Sequence, residues 1–224
     1  MTIGAIIVAA GSSTRMGGAD KLLYQLDSRP LLAHSLAQFD AHPRIESVVV
    51  VASTANIDAI GAIASAFPRI RVVLGGPRRR DSVLRGLDAL EGRDIAVVHD
   101  GARPLVTAPL IDAAIDGAIE AGAALCAVPV LDTVKRGDAA GLVRGTVSRE
   151  DLWLAQTPQA FRTGVLRRAH ASHDIDATDD AALVELLDEP VRLVKGSREN
   201  IKVTTPEDVA LVEALLAARR YTST

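Results

Sequence analysis

The sequence contains a single cysteine among its 224 residues. One cysteine cannot form a disulfide within the chain, so the fold cannot depend on a disulfide framework, and a reducing compartment is its natural environment. Cys126 lies in the apolar run Ala123 to Val130, which predicts a small, buried core residue.

Neither sign of charge is in large excess. Lys and Arg number 25 against 28 Asp and Glu, a formal net charge of -3, which argues against a nucleic-acid coat and a polybasic membrane surface. Any anion site must therefore be local. No apolar run approaches the roughly 18 residues of a transmembrane helix, and no signal-like segment is recognisable. We expect a cytoplasmic protein with no nucleic-acid or membrane partner.

The five histidines are scattered and form no Cys/His cluster. Two of them, His170 and His173, lie close together, beside charged residues at a predicted helix end. This arrangement does not predict a zinc site.

The segment from residue 4 to residue 21, GAIIVAAGSSTRMGGADK, joins an apolar run to a small-residue, basic loop. Ala5 to Ala9 predicts a buried strand. The loop after it allows backbone N–H groups to approach a phosphate closely, with Arg15 and Lys21 as cations. It matches neither a Walker A motif nor the dinucleotide-binding fingerprint. A glycine-rich turn with two solvated basic residues remains an alternative.

Apolar runs alternate with helical patterns along the first 130 residues. This alternation predicts an α/β fold with a Rossmann-like, mainly parallel sheet and helices on both faces, whose ligands bind beyond the carboxyl ends of the strands. The predicted strands are Ala5 to Ala9, Ile45 to Ala52, Ile70 to Leu74, Ile95 to His99 and Ala123 to Val130. One predicted helix follows Pro30, and three others span Ile57 to Phe67, Asp81 to Leu90 and Ala108 to Ala121.

Two further strands end in polar segments at this same edge. Gly75-Gly76-Pro77 is followed by the basic run Arg78-Arg79-Arg80, which we interpret as solvated surface, and by Ser82, a possible helix cap. Asp100 and Arg103 directly follow a buried strand, and a carboxylate and a guanidinium at that position favour a functional role.

The pattern changes at Asp132. Residues 132–136 and 142–147 read as two strands around a turn at 137–141, a β-hairpin with little core of its own. We expect an arm that packs on a second copy of the chain; a hairpin folded onto its own domain is the alternative. Beyond it, helices are predicted at Gly164 to Ala171, Thr178 to Leu187 and Thr205 to about Arg219, with a strand at Val191 to Val194.

Several segments taken together carry a resemblance: AAGSSTRMGGADK, GGPRRRDSV, VVHDGARP, DTVKR, VSREDLW, AQTPQAF, ATDDAALVE and NIKVTTPED. Their order resembles that of nucleotidyltransferases that make cytidine-diphosphate-linked intermediates, and most closely the 2-C-methyl-D-erythritol 4-phosphate cytidylyltransferases of the non-mevalonate isoprenoid pathway. The resemblance runs nearly end to end. It implies one nucleotidyltransferase domain over residues 1–224, with residues 132–150 as a β-arm subdomain for homodimer formation.

The resemblance also implies a reaction and the residues that perform it. A cytidylyl group would pass from CTP to methylerythritol phosphate, with Arg15, Lys21 and Lys202 as catalytic residues. Arg149 would reach into the neighbouring subunit's site, and Asp100 is the candidate protein ligand for Mg²⁺ or another divalent cation. The CTP-binding residues would be Ala9, Ala10, Gly11, Ser12, Gly76, Ser82, Asp100 and Gly101, and the acceptor-binding residues Asp100, Arg103, Thr133, Arg149, Thr157, Thr178 and Lys202.

This chemistry needs no general base, because a phosphate monoester has a second pKa of about 6 and is already a nucleophile at neutral pH. Attack on the α-phosphorus of CTP requires positioning and charge stabilisation. Whether Asp100 holds metal or a substrate hydroxyl stays open. The alternatives are another cytidylyltransferase, for a pentitol phosphate or molybdopterin, and a non-enzymatic nucleotide sensor or scaffold on the same fold.

Overall fold

The computed structural model describes residues 1–11 and 20–222, with side chains as far as Arg220. The alternation of strands and helices predicted for the first 130 residues is present. The elements in this part are β1 (Ile3–Ala9), β2 (Gln25–Leu26), β3 (Arg29–Pro30), α1 (Leu31–Ala41), β4 (Ser47–Ala52), α2 (Ile57–Ala64), β5 (Ile70–Leu74), α3 (Arg79–Ala89), β6 (Ile95–Asp100), α4 (Ala108–Ala121) and β7 (Ala123–Pro129).

The second part of the chain departs from this alternation. Its elements are β8 (Val134–Gly137), β9 (Val143–Val147), β10 (Trp153–Arg162), α5 (Thr163–Ser172), α6 (Asp180–Glu185), β11 (Arg192–Lys195) and α7 (Pro206–Thr222). Helix α6 is shorter than predicted. Its N-cap is Asp179, whose carboxylate accepts a hydrogen bond from the Ala182 backbone N–H at 3.0 Å, and such caps satisfy an otherwise unpaired donor.

The described residues form a seven-stranded sheet in the order β11-β7-β10-β6-β1-β4-β5. Strand β10 runs antiparallel to β6 and β7, whereas the other neighbouring pairs are parallel, so the predicted mainly parallel sheet is confirmed. The sequence did not predict β10, although it lies near the centre of the sheet. Its buried segment contains Gln156, Thr157 and Gln159, which interrupt the apolar pattern of a central strand.

Both faces of the sheet are covered, as predicted. Successive side chains of a strand point to opposite faces, and in β1 the residues Ile3, Ala5 and Ile7 join one hydrophobic cluster while Ile6 joins the other. Helices α1, α2, α4 and α7 contribute to the first cluster, and α3, α5 and α6 to the second. Cys126 is buried in the first cluster, and burial raises the pKa of its thiol to about 12. It is therefore a core residue, as predicted.

The predicted hairpin is present as β8 and β9, which pair with each other in a two-stranded sheet of their own. Asp138 organises the turn, because its carboxylate accepts hydrogen bonds from the backbone N–H groups of Ala140 and Leu142 at 3.0 and 2.9 Å. Leu142 and Val143 are 59% and 64% exposed, an unusual degree for large apolar residues. Within the described ranges, no helix is both long and apolar enough to cross a membrane.

Candidate active site

A cavity of about 410 Å³ opens at the carboxyl edge of the sheet, where the ends of β1, β5 and β6 meet. This is the edge at which parallel sheets bind ligands. The cavity contains most of the residues predicted for CTP and two of the predicted catalytic residues. It is lined by Val8, Ala9, Ala10, Gly11, Lys21, Leu22, Gly76, Pro77, Arg78, Arg79, Ser82, Asp100, Ala102 and Lys202.

Three residues predicted for the nucleotide site are not seen there. Ser12 and Arg15 lie outside the described residues. Gly101 is buried behind the cavity wall, where a Cβ atom would come within 2.9 Å of Leu32 Cδ1, and its N–H bonds to the Val8 carbonyl at 3.0 Å. Glycine at this position permits close packing between the end of β6 and α1.

A second cavity, of about 210 Å³, adjoins the first and shares Arg79, Asp100 and Lys202 with it. It contains five of the residues predicted for the acceptor. Its lining residues are Arg79, Asp100, Arg103, Ala155, Gln156, Thr157, Gln159, Thr178, Asp179 and Lys202. Thr133 and Arg149, also predicted for the acceptor, are exposed on the hairpin segment and line neither cavity.

Asp100, at the end of β6, lies in the wall between the two cavities. Lys202 Nζ is 2.9 Å from its carboxylate, Arg103 Nε 3.6 Å and Arg79 Nη2 3.8 Å. Burial alone would raise the pKa of Asp100, but these three cations lower it to about 2. Asp100 is therefore an anion at neutral pH, and it holds Lys202 at the boundary of the cavities.

Behind Asp100, a chain of hydrogen bonds orients a predicted acceptor-site hydroxyl. His99 is fully buried, and burial lowers its pKa to about 4, so its ring is neutral at pH 7. Because the Arg103 carbonyl can only accept, His99 Nε2 donates to it at 3.2 Å. His99 Nδ1 is then the acceptor for the Thr157 hydroxyl at 3.1 Å, and Thr157 Oγ1 accepts the Asp100 backbone N–H at 3.0 Å.

A different side chain fixes the segment that carries Lys21. Asn56 Nδ2 donates to the Ala9 carbonyl at 3.0 Å and to the Asp20 carboxylate at 2.7 Å. Asp20 in turn accepts the Leu22 backbone N–H at 3.0 Å. These bonds tie the end of β1 to the residues on either side of Lys21, a connection that the sequence did not predict.

The basic run was wrongly interpreted as solvated surface. Arg78 pairs with Asp81 at 2.9 Å and with Asp174 at 2.7 Å, Arg79 pairs with Asp180 at 2.6 Å, and Arg80 pairs with Asp174. The side chains of Arg79 and Arg80 are only 27% and 10% exposed. Apart from the Arg78–Asp81 pair, no local pattern could reveal these bonds, because the partners of Arg79 and Arg80 lie 101 and 94 residues away in the chain.

Ser82 does not cap α3, whose N-cap is Arg78. It is buried, and its hydroxyl oxygen accepts the Gly76 backbone N–H at 3.2 Å. A Cβ atom on Gly76 would come within 2.4 Å of Asp81 Cβ, so a glycine is needed for this close approach. Together these contacts fix the loop after β5 against the larger cavity.

The protein groups at this site fit a divalent cation only partly. In the described part of the chain, no group of three or more His, Cys, Asp or Glu side chains could hold a metal. Asp100, which lines both cavities, is the one protein ligand predicted for the metal. Its carboxylate already interacts with three cations. One carboxylate is nevertheless sufficient for Mg²⁺ when substrate phosphates and water supply its other ligands.

The fold and the paired, cation-lined cavities are those of an α/β nucleotidyltransferase. The family model described as IspD, 2-C-methyl-D-erythritol 4-phosphate cytidylyltransferase, matches residues 3–218. The chain therefore belongs to this family.

Curated relatives and solved structures agree with this assignment. The chain is 42% identical to the 2-C-methyl-D-erythritol 4-phosphate cytidylyltransferase of Dehalococcoides mccartyi, with 97% of each chain covered. It is 44% identical to the enzyme of the same name from Pelotomaculum thermopropionicum, over 97% of this chain and 95% of the relative. The crystal structure of 4-diphosphocytidyl-2C-methyl-D-erythritol synthase from Anaerococcus prevotii superimposes with a TM-score of 0.85 at 31% identity, covering 96% of this chain and 98% of the other.

The neutral, buried His99 predicts a pH dependence of stability. In the unfolded chain, an imidazole binds a proton below its ordinary pKa of about 6.5, whereas folded His99 does so only near pH 4. The folded state with a neutral His99 is therefore fully stabilised above pH 6.5, and this contribution to the free energy of unfolding is lost as the pH falls towards 4. We expect the difference in unfolding free energy between the wild type and His99→Gln to shrink by roughly 3 kcal/mol over this range.

Urea titrations at a series of pH values measure this difference. The matched control is His173→Gln, at a histidine that is not buried, and its difference from the wild type should stay nearly constant. If the free energy of unfolding changes equally with pH in the wild type and in His99→Gln, His99 is not a neutral, buried group.

Proposed function

We propose that this protein transfers the cytidylyl group of CTP to 2-C-methyl-D-erythritol 4-phosphate, giving 4-diphosphocytidyl-2-C-methyl-D-erythritol and pyrophosphate in isoprenoid precursor biosynthesis. The observation that carries the proposal is the pair of adjoining cavities with a common wall of Asp100, Lys202 and Arg79. Family membership gives the two substrates, since the relatives bear the name of this activity.

We assign CTP to the larger cavity and the acceptor to the smaller one. The larger cavity has small residues at the end of β1 and after β5, where backbone groups can approach a nucleotide closely. The smaller cavity is lined by Thr157 and Thr178 together with charged residues, which suits a small phosphorylated polyol. The acceptor phosphate and the α-phosphate of CTP would then meet at the common wall.

The chain has to position charge rather than move protons. The acceptor phosphate attacks the α-phosphorus in line, and pyrophosphate departs. Lys202, held by Asp100, and Lys21, which follows Asp20, supply positive charge to the larger cavity, and Arg15 is the third predicted cation. Mg²⁺ bound mainly by phosphate oxygens would neutralise further charge, with Asp100 as its candidate protein ligand. A hydrogen bond from a substrate hydroxyl is the other role proposed for Asp100.

We further propose a cytoplasmic homodimer joined through residues 132–150. Exposed apolar side chains on and beside the hairpin, among them Leu131, Leu142, Val143 and Trp153, support a contact surface there. Arg149 lies outside the cavities of its own chain and would serve the partner's acceptor site, as would Thr133. A single free, buried cysteine is compatible with a reducing cytoplasm.

One assay tests the reaction directly. Pyrophosphate release is measured with CTP and Mg²⁺, with and without methylerythritol phosphate, and with a pentitol phosphate as a competing acceptor. We expect release that depends on methylerythritol phosphate. Absence of release with this acceptor would refute the proposed function, and faster release with the pentitol phosphate would favour the alternative cytidylyltransferase.

Lys21→Ala and Lys202→Ala should retain CTP binding and lose roughly a hundredfold or more in turnover, because each removes a cation that stabilises the transition state. Calorimetric titration with CTP measures binding, and the rate of pyrophosphate release measures turnover. Lys195→Ala, at an exposed position on β11 away from both cavities, is the matched control and should retain wild-type turnover. Near-normal turnover in either test variant would contradict these roles.

The shared acceptor site predicts complementation between subunits. A hybrid dimer of Arg149→Ala and Lys202→Ala chains would contain one complete site, so we expect about half of the wild-type activity per dimer. Hybrids can be purified from co-expression through two different affinity tags. A hybrid of Lys21→Ala and Lys202→Ala chains is the control and should stay inactive, because both lysines line the same chain's cavity. Equal inactivity of both hybrids would contradict the sharing of Arg149.

A further inference from the structure

Arg79 is the first residue of α3, and its side chain lines both cavities. The roles proposed above for the lysines and for Arg15, Arg103 and Arg149 leave it without a function. Its guanidinium lies across the common wall, with Nη1 2.6 Å from the Asp180 carboxylate and Nη2 3.8 Å from that of Asp100. The second distance is too long for a hydrogen bond, so Asp100 attracts this end of the group without binding it tightly.

The partner of Arg79 is an unusually protected carboxylate. Asp180 is fully buried, and its second oxygen is 3.2 Å from His170 Nε2, which is also buried. Burial alone would raise the pKa of Asp180, but Arg79 and His170 lower it, so the group is ionised. A buried anion is costly unless it is well paired. The two hydrogen bonds meet this cost and fix the orientation of the Arg79 side chain.

A purely structural role would be to connect α3, α5 and α6. The position of the guanidinium argues for more, because a quarter of the side chain remains exposed, at the boundary where two phosphates would meet. A guanidinium has five N–H donors in a planar fork that suits phosphate oxygens. Among the described residues, Asp180 accepts its one side-chain hydrogen bond.

We propose that Arg79 is a further substrate-binding residue, which contacts the phosphate of the acceptor at the boundary of the two cavities. Asp180 and His170 are its positioning residues. The acceptor phosphate is favoured over the CTP phosphates because Thr178 and Asp179, which line the acceptor cavity, directly precede Asp180. This inference rests on the proposed function.

The test compares Arg79→Gln, Arg79→Lys and Asp180→Asn with the wild type. We expect Arg79→Gln to raise KM for methylerythritol phosphate roughly 10- to 100-fold, as for loss of a hydrogen bond between charged groups, while the Kd for CTP changes less than about threefold. Arg79→Lys keeps the charge but lacks the planar set of N–H donors, so its KM should lie between those of the wild type and Arg79→Gln. Asp180→Asn should raise the same KM, because the guanidinium is no longer held in place.

The matched control is Arg80→Gln. Arg80 is in the same helical turn but lines neither cavity, and it pairs instead with Asp174 and with the His170 carbonyl at 2.6 Å. The KM of Arg80→Gln for methylerythritol phosphate should equal that of the wild type. Melting temperatures of all variants show whether each is folded, and acceptor affinity is compared only among variants that melt cooperatively.

Each outcome is decisive. A rise in acceptor KM alone supports the inference, and an equal loss of CTP affinity would assign Arg79 to the CTP phosphates instead and overturn it. Folded Arg79 variants with wild-type KM would show that the Arg79–Asp180 pair is structural. An inactive wild type would refute the proposed function and not this inference alone, so the two failures are distinguishable. If Arg79→Gln fails to fold, the KM of Arg79→Lys decides the question in the same way.

Discussion

The ionised carboxylate of Asp100 is the constraint on which the site depends. With 11% of its side chain exposed, it is stable as an anion only when cations surround it. Those cations come from three separate parts of the chain: Arg79 at the start of α3, Arg103 after β6, and Lys202 between β11 and α7. One buried charge thereby connects three segments that line the two cavities.

Strand β10 supplies the polar framework that makes this arrangement possible. Gln156 Nε2 donates to the Ser197 carbonyl at 2.8 Å, and Asn200 Nδ2 donates to the Thr157 carbonyl at 2.8 Å. These bonds dock the segment that carries Lys202 onto the centre of the sheet. Buried polar groups need partners, so the glutamines and threonine of β10 are explained by what they bind and not by strand propensity.

The fold was largely predictable, because β1, β4, β6 and β7 are apolar runs separated by helices, and that pattern has few solutions. Strand β10 was not predictable, since its polar residues become strand residues only through pairing with β6 and β7. The strand pattern indicated Asp100 and the family resemblance indicated Lys202, but neither indicated the role that we propose for Arg79. A basic run and a distant acidic pair do not show that Arg79 and Asp180 are in contact, whereas a carboxylate directly after a buried strand is placed by the strand itself.

A double-mutant cycle on turnover between Asp100 and Lys202 tests the central claim most directly. If Asp100 acts by holding Lys202, Asp100→Asn should lower turnover markedly in the wild-type background and have little further effect in Lys202→Ala. The predicted result is a double variant about as slow as Lys202→Ala alone, as found for groups that act as a unit. Losses that multiply in the double variant would show that Asp100 acts independently of Lys202 and would contradict the claim that Asp100 acts by holding Lys202.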